Sequence, residues 1–116
     1  MPEITEDAIV YFEKKLYLLM LIKVLQMDLE LFHKFPVKLN RPYIKKVENT
    51  LQTIKHDLKM TDIYMSRNSM KVVRNHYDKF VSNYLFMNRG VEVRKDYANA
   101  ELQENCEELL LNYFTS

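Results

Sequence analysis

Apolar residues dominate the first third of this chain with no wide polar face between them. Residues 16–22 read Leu-Tyr-Leu-Leu-Met-Leu-Ile, and Val24 and Leu25 follow. A helix on a protein surface shows one apolar stripe, whereas this run is apolar nearly all round and predicts a helix covered on more than one side. Its start is marked by Thr5 as a cap, by Glu6 and Asp7 in the first turn, and by Ile4 and Ile9 at staple spacing. Pro36 forces Phe35 out of helical geometry. A helix over 5–35 follows, about 45 Å long at 1.5 Å per residue.

A cleaner pattern comes next. Ile44, Val47, Leu51, Ile54 and Leu58 are spaced 3, 4, 3 and 4, the seam of a helix that packs on one neighbour. Asn40 reads as its cap, Leu39 and Ile44 as its staple, and Pro42 falls in the first turn, where proline is tolerated. This helix spans 40–60, or 40–67 unless Thr61-Asp62 caps a short separate one. Ser69 then reads as a cap for a third helix over 69–89, in which Val72, Val73, His76, Tyr77, Phe80, Val81, Tyr84 and Met87 keep a helical period. Gly90 would close it as a left-handed C-terminal cap. The competing reading makes residues 84–94 a hairpin turning at Asn88-Arg89-Gly90. The helical period is preferred. A last helix over 96–114 begins at Asp96 or Asn99 and carries Leu102, Cys106, Leu109, Leu110 and Tyr113 on one stripe.

These elements predict an all-α, four-helix bundle-like single domain over residues 1–116, with the long N-terminal helix at its centre. Composition supports this. One Gly and three Pro are too few for an all-β chain rich in turns, and 47% hydrophobic with 28% charged residues is a globular balance rather than a disordered one. The longest apolar run is far short of the ~20 residues that cross a bilayer. The acidic start, Met-Pro-Glu-Ile-Thr-Glu-Asp, is unlike a signal peptide. A lone cysteine, Cys106, forms no internal disulfide, so a cytoplasmic protein is expected.

Charge is spread unevenly. Residues 1–40 hold five Lys/Arg against six Asp/Glu, residues 41–89 hold ten against four, and residues 90–116 hold two against six. The basic middle could be a nucleic-acid face, with Arg67, Lys71, Arg74 and Lys79 as contacts. It could equally be offset within the bundle by the acidic last helix. The hairpin reading would add a wing of the kind seen in winged-helix DNA-binding domains.

Catalytic chemistry finds little to stand on. Glu30-x-x-His33 has the spacing of di-metal helical bundles, but neither His56 nor His76 has a carboxylate three residues before it. Cys106 has Glu104, Glu107 and Glu108 within two residues and no Lys or Arg nearby on its helix, which disfavours a thiolate. A single glycine rules out a Gly-rich phosphate loop. The Met residues, Met20 and Met27 among them, suit an irregular core or an adaptable binding surface. The chain therefore reads as a small noncatalytic helical protein–protein interaction protein, adaptor or regulatory in kind. It needs no cofactor or metal and is expected to form a homodimer or larger homo-oligomer through Leu18, Leu21, Ile22 and Leu25 of the first helix. A DNA-binding regulator using the basic helices of residues 41–89 is the second reading.

Overall fold

The computed structural model describes residues 4–35 and 38–115. The first apolar run folds as helix α1, Glu6–Lys34. Thr5 precedes it with extended backbone, and its hydroxyl oxygen accepts a bond from the Ala8 amide at 3.2 Å. Glu6 and Asp7 occupy the first turn and His33 and Lys34 the last, each suited to the helix dipole. Pro36, expected to end this helix, lies outside the described residues, as do residues 1–3, 37 and 116.

Helix α2 is Asn40–Arg67, the longer of the two spans the sequence allowed. Its cap differs from expectation. Leu39 takes that position in a left-handed conformation (φ 59°) and makes no side-chain cap bond, and Asn40 is already helical. Rings at both ends fix the direction of packing: Tyr11 stacks on Tyr64 at 3.7 Å and Phe32 on Tyr43 at 6.2 Å, so α2 runs antiparallel to α1.

Residues 69–89 are not a helix, and the protein is not an all-α bundle. Asn68 closes α2, its side-chain amide donating to the Tyr64 carbonyl at 2.8 Å, and Ser69, expected to start a helix, turns left-handed instead (φ 54°). Three strands follow: β1 (Met70–Tyr77), β2 (Val81–Asn88) and β3 (Val91–Ala98). They form an antiparallel meander in the order β1-β2-β3. The residues read as a helical cap serve a hairpin instead. Arg89 (φ 51°) and Gly90 (φ 82°) are both left-handed, as a two-residue turn between twisted strands requires. The last helix, α3, is Asn99–Thr115, beginning at the later of its two expected starts. The fold is α+β, three helices and one sheet.

Alternation sorts the sheet into two faces. Met70 and Val72 of β1, Tyr84 and Phe86 of β2, and Val93 and Tyr97 of β3 face the helices. There they meet Ala8, Phe12 and Leu16 of α1, Met65 of α2 and Leu102 of α3. Phe12 and Phe86, both fully buried, stack with ring centroids 4.7 Å apart. A second cluster holds Leu18, Leu21 and Leu25 against Val47, Leu51 and Ile54, with Leu109, Leu110, Tyr113 and Phe114 of α3 closing over it. The α1 helix thus spans two cores, which is why its apolar residues circle the helix. β1 has a bulge between Arg74 and His76. Beside it, Asn83 receives a bond from Asn75 at 3.1 Å and donates to Asp96 at 2.7 Å, tying the outer face together.

Hydrogen bonds clip α3 to the β1–β2 turn. The Asp78 carboxylate accepts from the Phe80 and Val81 amides at 2.7 and 2.8 Å. Asn99 accepts from the Ser82 hydroxyl at 2.7 Å and donates to the Asp78 carbonyl at 2.9 Å. The amides of Val81 and Phe80 hold the Asp78 carboxyl below the usual carboxylate range. A lowered folded value means that the turn is fully supported above the ordinary Asp midpoint and loses that support as pH falls through the folded one. The amide NMR shifts of Phe80 and Val81 should therefore hold constant past pH ~4 and move only in stronger acid. Movement centred on the ordinary Asp midpoint would disprove the clip.

Candidate interaction surfaces

The residues expected to mediate self-association lie inside the protein. Leu18, Leu21 and Leu25 are buried, and Ile22 packs partly buried against the same cluster. The apolar residues that α1 leaves outside include Val10, Leu19, Val24, Met27 and Leu31, the last three in line with half-buried Met20. Met20, Val24, Met27 and Leu31 are spaced 4, 3 and 4, so they share one face. Val24, Met27 and Leu31 are 47%, 55% and 54% exposed. The stripe has a simple origin. In the first half of α1 the corresponding face (Ala8, Phe12, Leu16) is covered by the sheet, and α1 outruns the sheet by several turns.

Alongside this stripe runs a groove of about 590 Å³ between α1, the sheet and α3. Met20, Val24 and Met27 form one wall, and Leu102, Cys106 and Leu110 form the other. Lys23, Arg74 and Glu107 also border it. Arg74 is held by the Tyr77 ring, 3.9 Å below its guanidinium carbon. The Cys106 thiol lies 3.7 Å from the Met20 sulfur, and burial pushes its pKa up, the opposite of what a nucleophile needs. Glu30 and His33 are both exposed, and no group of three or more His, Cys, Asp or Glu is placed to hold a metal among the described residues. No helix among the described residues is long and apolar enough to cross a membrane.

The four candidate nucleic-acid contacts do not share a helix. Arg67 ends α2, Lys71 and Arg74 stand on opposite faces of β1, and Lys79 sits in the turn after it with its ammonium 5.9 Å from the Phe80 ring. The basic face that does form lies on α2, turned away from α1. It carries Arg41, Lys45, Lys55, Lys59 and Arg67, with Glu48 among them. Sequence reasoning had the charges but not this row, because it divided the basic middle between α2 and a helix that is absent.

The acidic last helix does not cover this basic face. α3 packs through Leu102, Cys106, Leu109 and Tyr113, and Glu101, Glu104, Glu107 and Glu108 all point to solvent. Among the described residues the ion pair is Lys15 to Asp62 at 2.8 Å. The polar bonds that seat α3 are of other kinds. Asn105 donates to the Tyr17 hydroxyl at 2.9 Å and Tyr113 to Asp57 at 2.5 Å, while Tyr97 of β3 ties the sheet to α1 by donating to Glu13 at 2.8 Å. Burial and the carboxylate each one faces raise the pKa of Tyr97 and Tyr113 well above the usual phenol range, so both remain donors. At the far end the Lys46 ammonium donates to the Phe114 carbonyl at 2.7 Å.

Comparison with known proteins matches the chain to one family. A family model described as "YhjD protein" matches residues 3–116. A protein of Bacillus subtilis (strain 168), described as "Uncharacterized protein YhjD", is 26% identical over 113 residues, covering 97% of this chain and 94% of its own length. No solved structure matches the chain significantly.

Proposed function

The chain belongs to the YhjD protein family, and from that premise we propose that it is a small noncatalytic protein-interaction protein of the cytoplasm that self-associates through the exposed stripe of α1. The observation that carries this reading is the row Val24, Met27 and Leu31, an apolar helix face exposed where α1 passes the sheet and continued inward by half-buried Met20. Contiguous apolar surface of this kind marks interaction sites on soluble proteins. Two methionines in the row add a side chain that adapts to an irregular partner surface. The noncatalytic part of the reading draws support from Cys106, whose thiol is packed against Met20 and shifted away from reactivity. A lone cysteine, with no internal disulfide to maintain, also suits the cytoplasm.

A second copy is the simplest occupant, because one helix face laid against its own symmetry mate satisfies both at once. Light scattering at tens of micromolar should give twice the chain mass of 14.0 kDa. Met27→Glu with Leu31→Glu should halve that mass and leave the circular dichroism spectrum that of a folded chain, since both side chains are exposed within the single chain. A wild-type protein of single-chain mass, or a dimer indifferent to this double change, would refute the assignment.

A further inference from the structure

Two charged helix faces are left uncompensated within the chain, and their patterns match. On α2, Lys55, Lys59, Ile63 and Arg67 recur every four residues, bordering a shallow depression of about 510 Å³. Asp62 lies in the same depression and is engaged by Lys15. On α3, Glu101, Glu104, Glu108 and Leu111 are spaced 3, 4 and 3 on the side opposite Leu102, with Glu107 at their margin. Ile63 is 36% exposed and Leu111 61%, so each row carries one apolar residue beside its charges. The spacings also agree in length. Lys55 to Ile63 spans about 12 Å and Glu104 to Leu111 about 10.5 Å at the helical rise. Laid parallel, Leu111 meets Ile63, Glu108 meets Lys59 and Glu104 meets Lys55.

The two rows do not meet inside one chain. α3 is seated by its apolar side, through Tyr113 to Asp57 and Phe114 to Lys46, on a flank of α2 away from the Lys55–Lys59 row. We propose that the acidic row of α3 in one copy docks on the basic row of α2 in a second copy. This rests on the self-association reading above and deepens it by a second contact. The contact proposed is unreciprocated, leaving one row of each kind free on the pair, so it adds copies beyond a dimer instead of closing one. Exposed ion pairs are screened by salt, so this contact should weaken with ionic strength while the apolar stripe holds.

Light scattering at about 20 mM and about 500 mM salt tests both surfaces, since screening differs several-fold between them. The expected result is a mass above the dimer in low salt that falls to the dimer in high salt. Lys55→Glu with Lys59→Glu should abolish the low-salt growth, and so should Glu104→Lys with Glu108→Lys. An equimolar mixture of the two variants should recover it, because each then offers the charge the other lacks. All four positions are exposed, and unchanged melting temperatures will show that both variants are folded. A low-salt mass no greater than the dimer, or growth that survives either reversal, overturns the docking and leaves the apolar dimer standing. A single-chain mass in both salts overturns the self-association reading itself. Salt-sensitive binding of a random DNA duplex, lost in Lys55→Glu with Lys59→Glu and kept in Glu104→Lys with Glu108→Lys, would assign the basic row to phosphate and overturn the proposal.

Discussion

Phe86→Ala should destabilise the protein by about 3–5 kcal/mol, the range for deleting a large buried aromatic ring. Against a total stability of about 5–15 kcal/mol this leaves a marginal fold or none. Phe86 sits on the middle strand, fully buried and stacked on Phe12, with Met70, Tyr84, Tyr97 and Leu102 in the same cluster. The cavity has little room to collapse, because β2 is bonded on both sides to β1 and β3. Leu85→Ala, one residue earlier on the outer face, should cost far less. Urea denaturation of the two variants measures the difference. Equal losses would show that the strand is out of phase.

Leu51→Asp should be comparably damaging and Gln52→Asp nearly silent. Leu51 lies in the α1–α2 seam between Val47 and Ile54, and a carboxylate there would face Leu18, Leu21 and Leu25 with no hydrogen-bond donor among them. Such a burial costs several kcal/mol, whereas Gln52 already lies in water. Thermal melts of the two variants give the comparison, and similar melting temperatures would mean that α2 is wrongly rotated.

That contrast also shows how much of the fold was legible. The seam from Ile44 to Leu58 reads unambiguously, and so do the start of α1 and the stripe of α3, because a single face with a 3.6-residue period has no competing interpretation. Residues 70–88 defeated the same reasoning for identifiable reasons. Arg74 occupies an inward position on β1 where an alternating pattern calls for an apolar residue, and its charge is absorbed by the Tyr77 ring. The bulge next to it shifts the phase by one residue. Ser82 and Asn83 are both buried, on opposite faces of β2, so alternation fails there too. What remains, Val72-Val73 and His76-Tyr77 four apart, imitates a helix. The valines and aromatics in this stretch were the contrary signal.

The place of the exposed apolar stripe was not legible in the sequence. The multi-sided apolar run of α1 was read as evidence of a partner at Leu18, Leu21, Ile22 and Leu25. A single chain supplies most of that cover itself, with α2 on one side and the sheet on another. The overhang at Val24, Met27 and Leu31 is the part left over in one row. That position depends on where the sheet stops, and a sequence read as all-helical contains no sheet to stop.

The bulge on β1 has a consequence for how copies of this protein avoid joining. A three-stranded sheet has two open margins, and an open margin is a template on which another chain can add a strand and begin to aggregate. On β1 the regular ladder runs only from Met70 to Arg74 before the extra residue breaks its repeat, and Lys71 and Arg74 charge that short run. On β3, Glu92, Arg94, Lys95 and Asp96 crowd the other margin, so an incoming strand meets a charge at half of its positions. Neither margin offers the flat, neutral length that growth by strand addition requires. The surfaces left open to a partner are those of the helices, which could be recognised by shape and charge and have no main-chain bonds left to give.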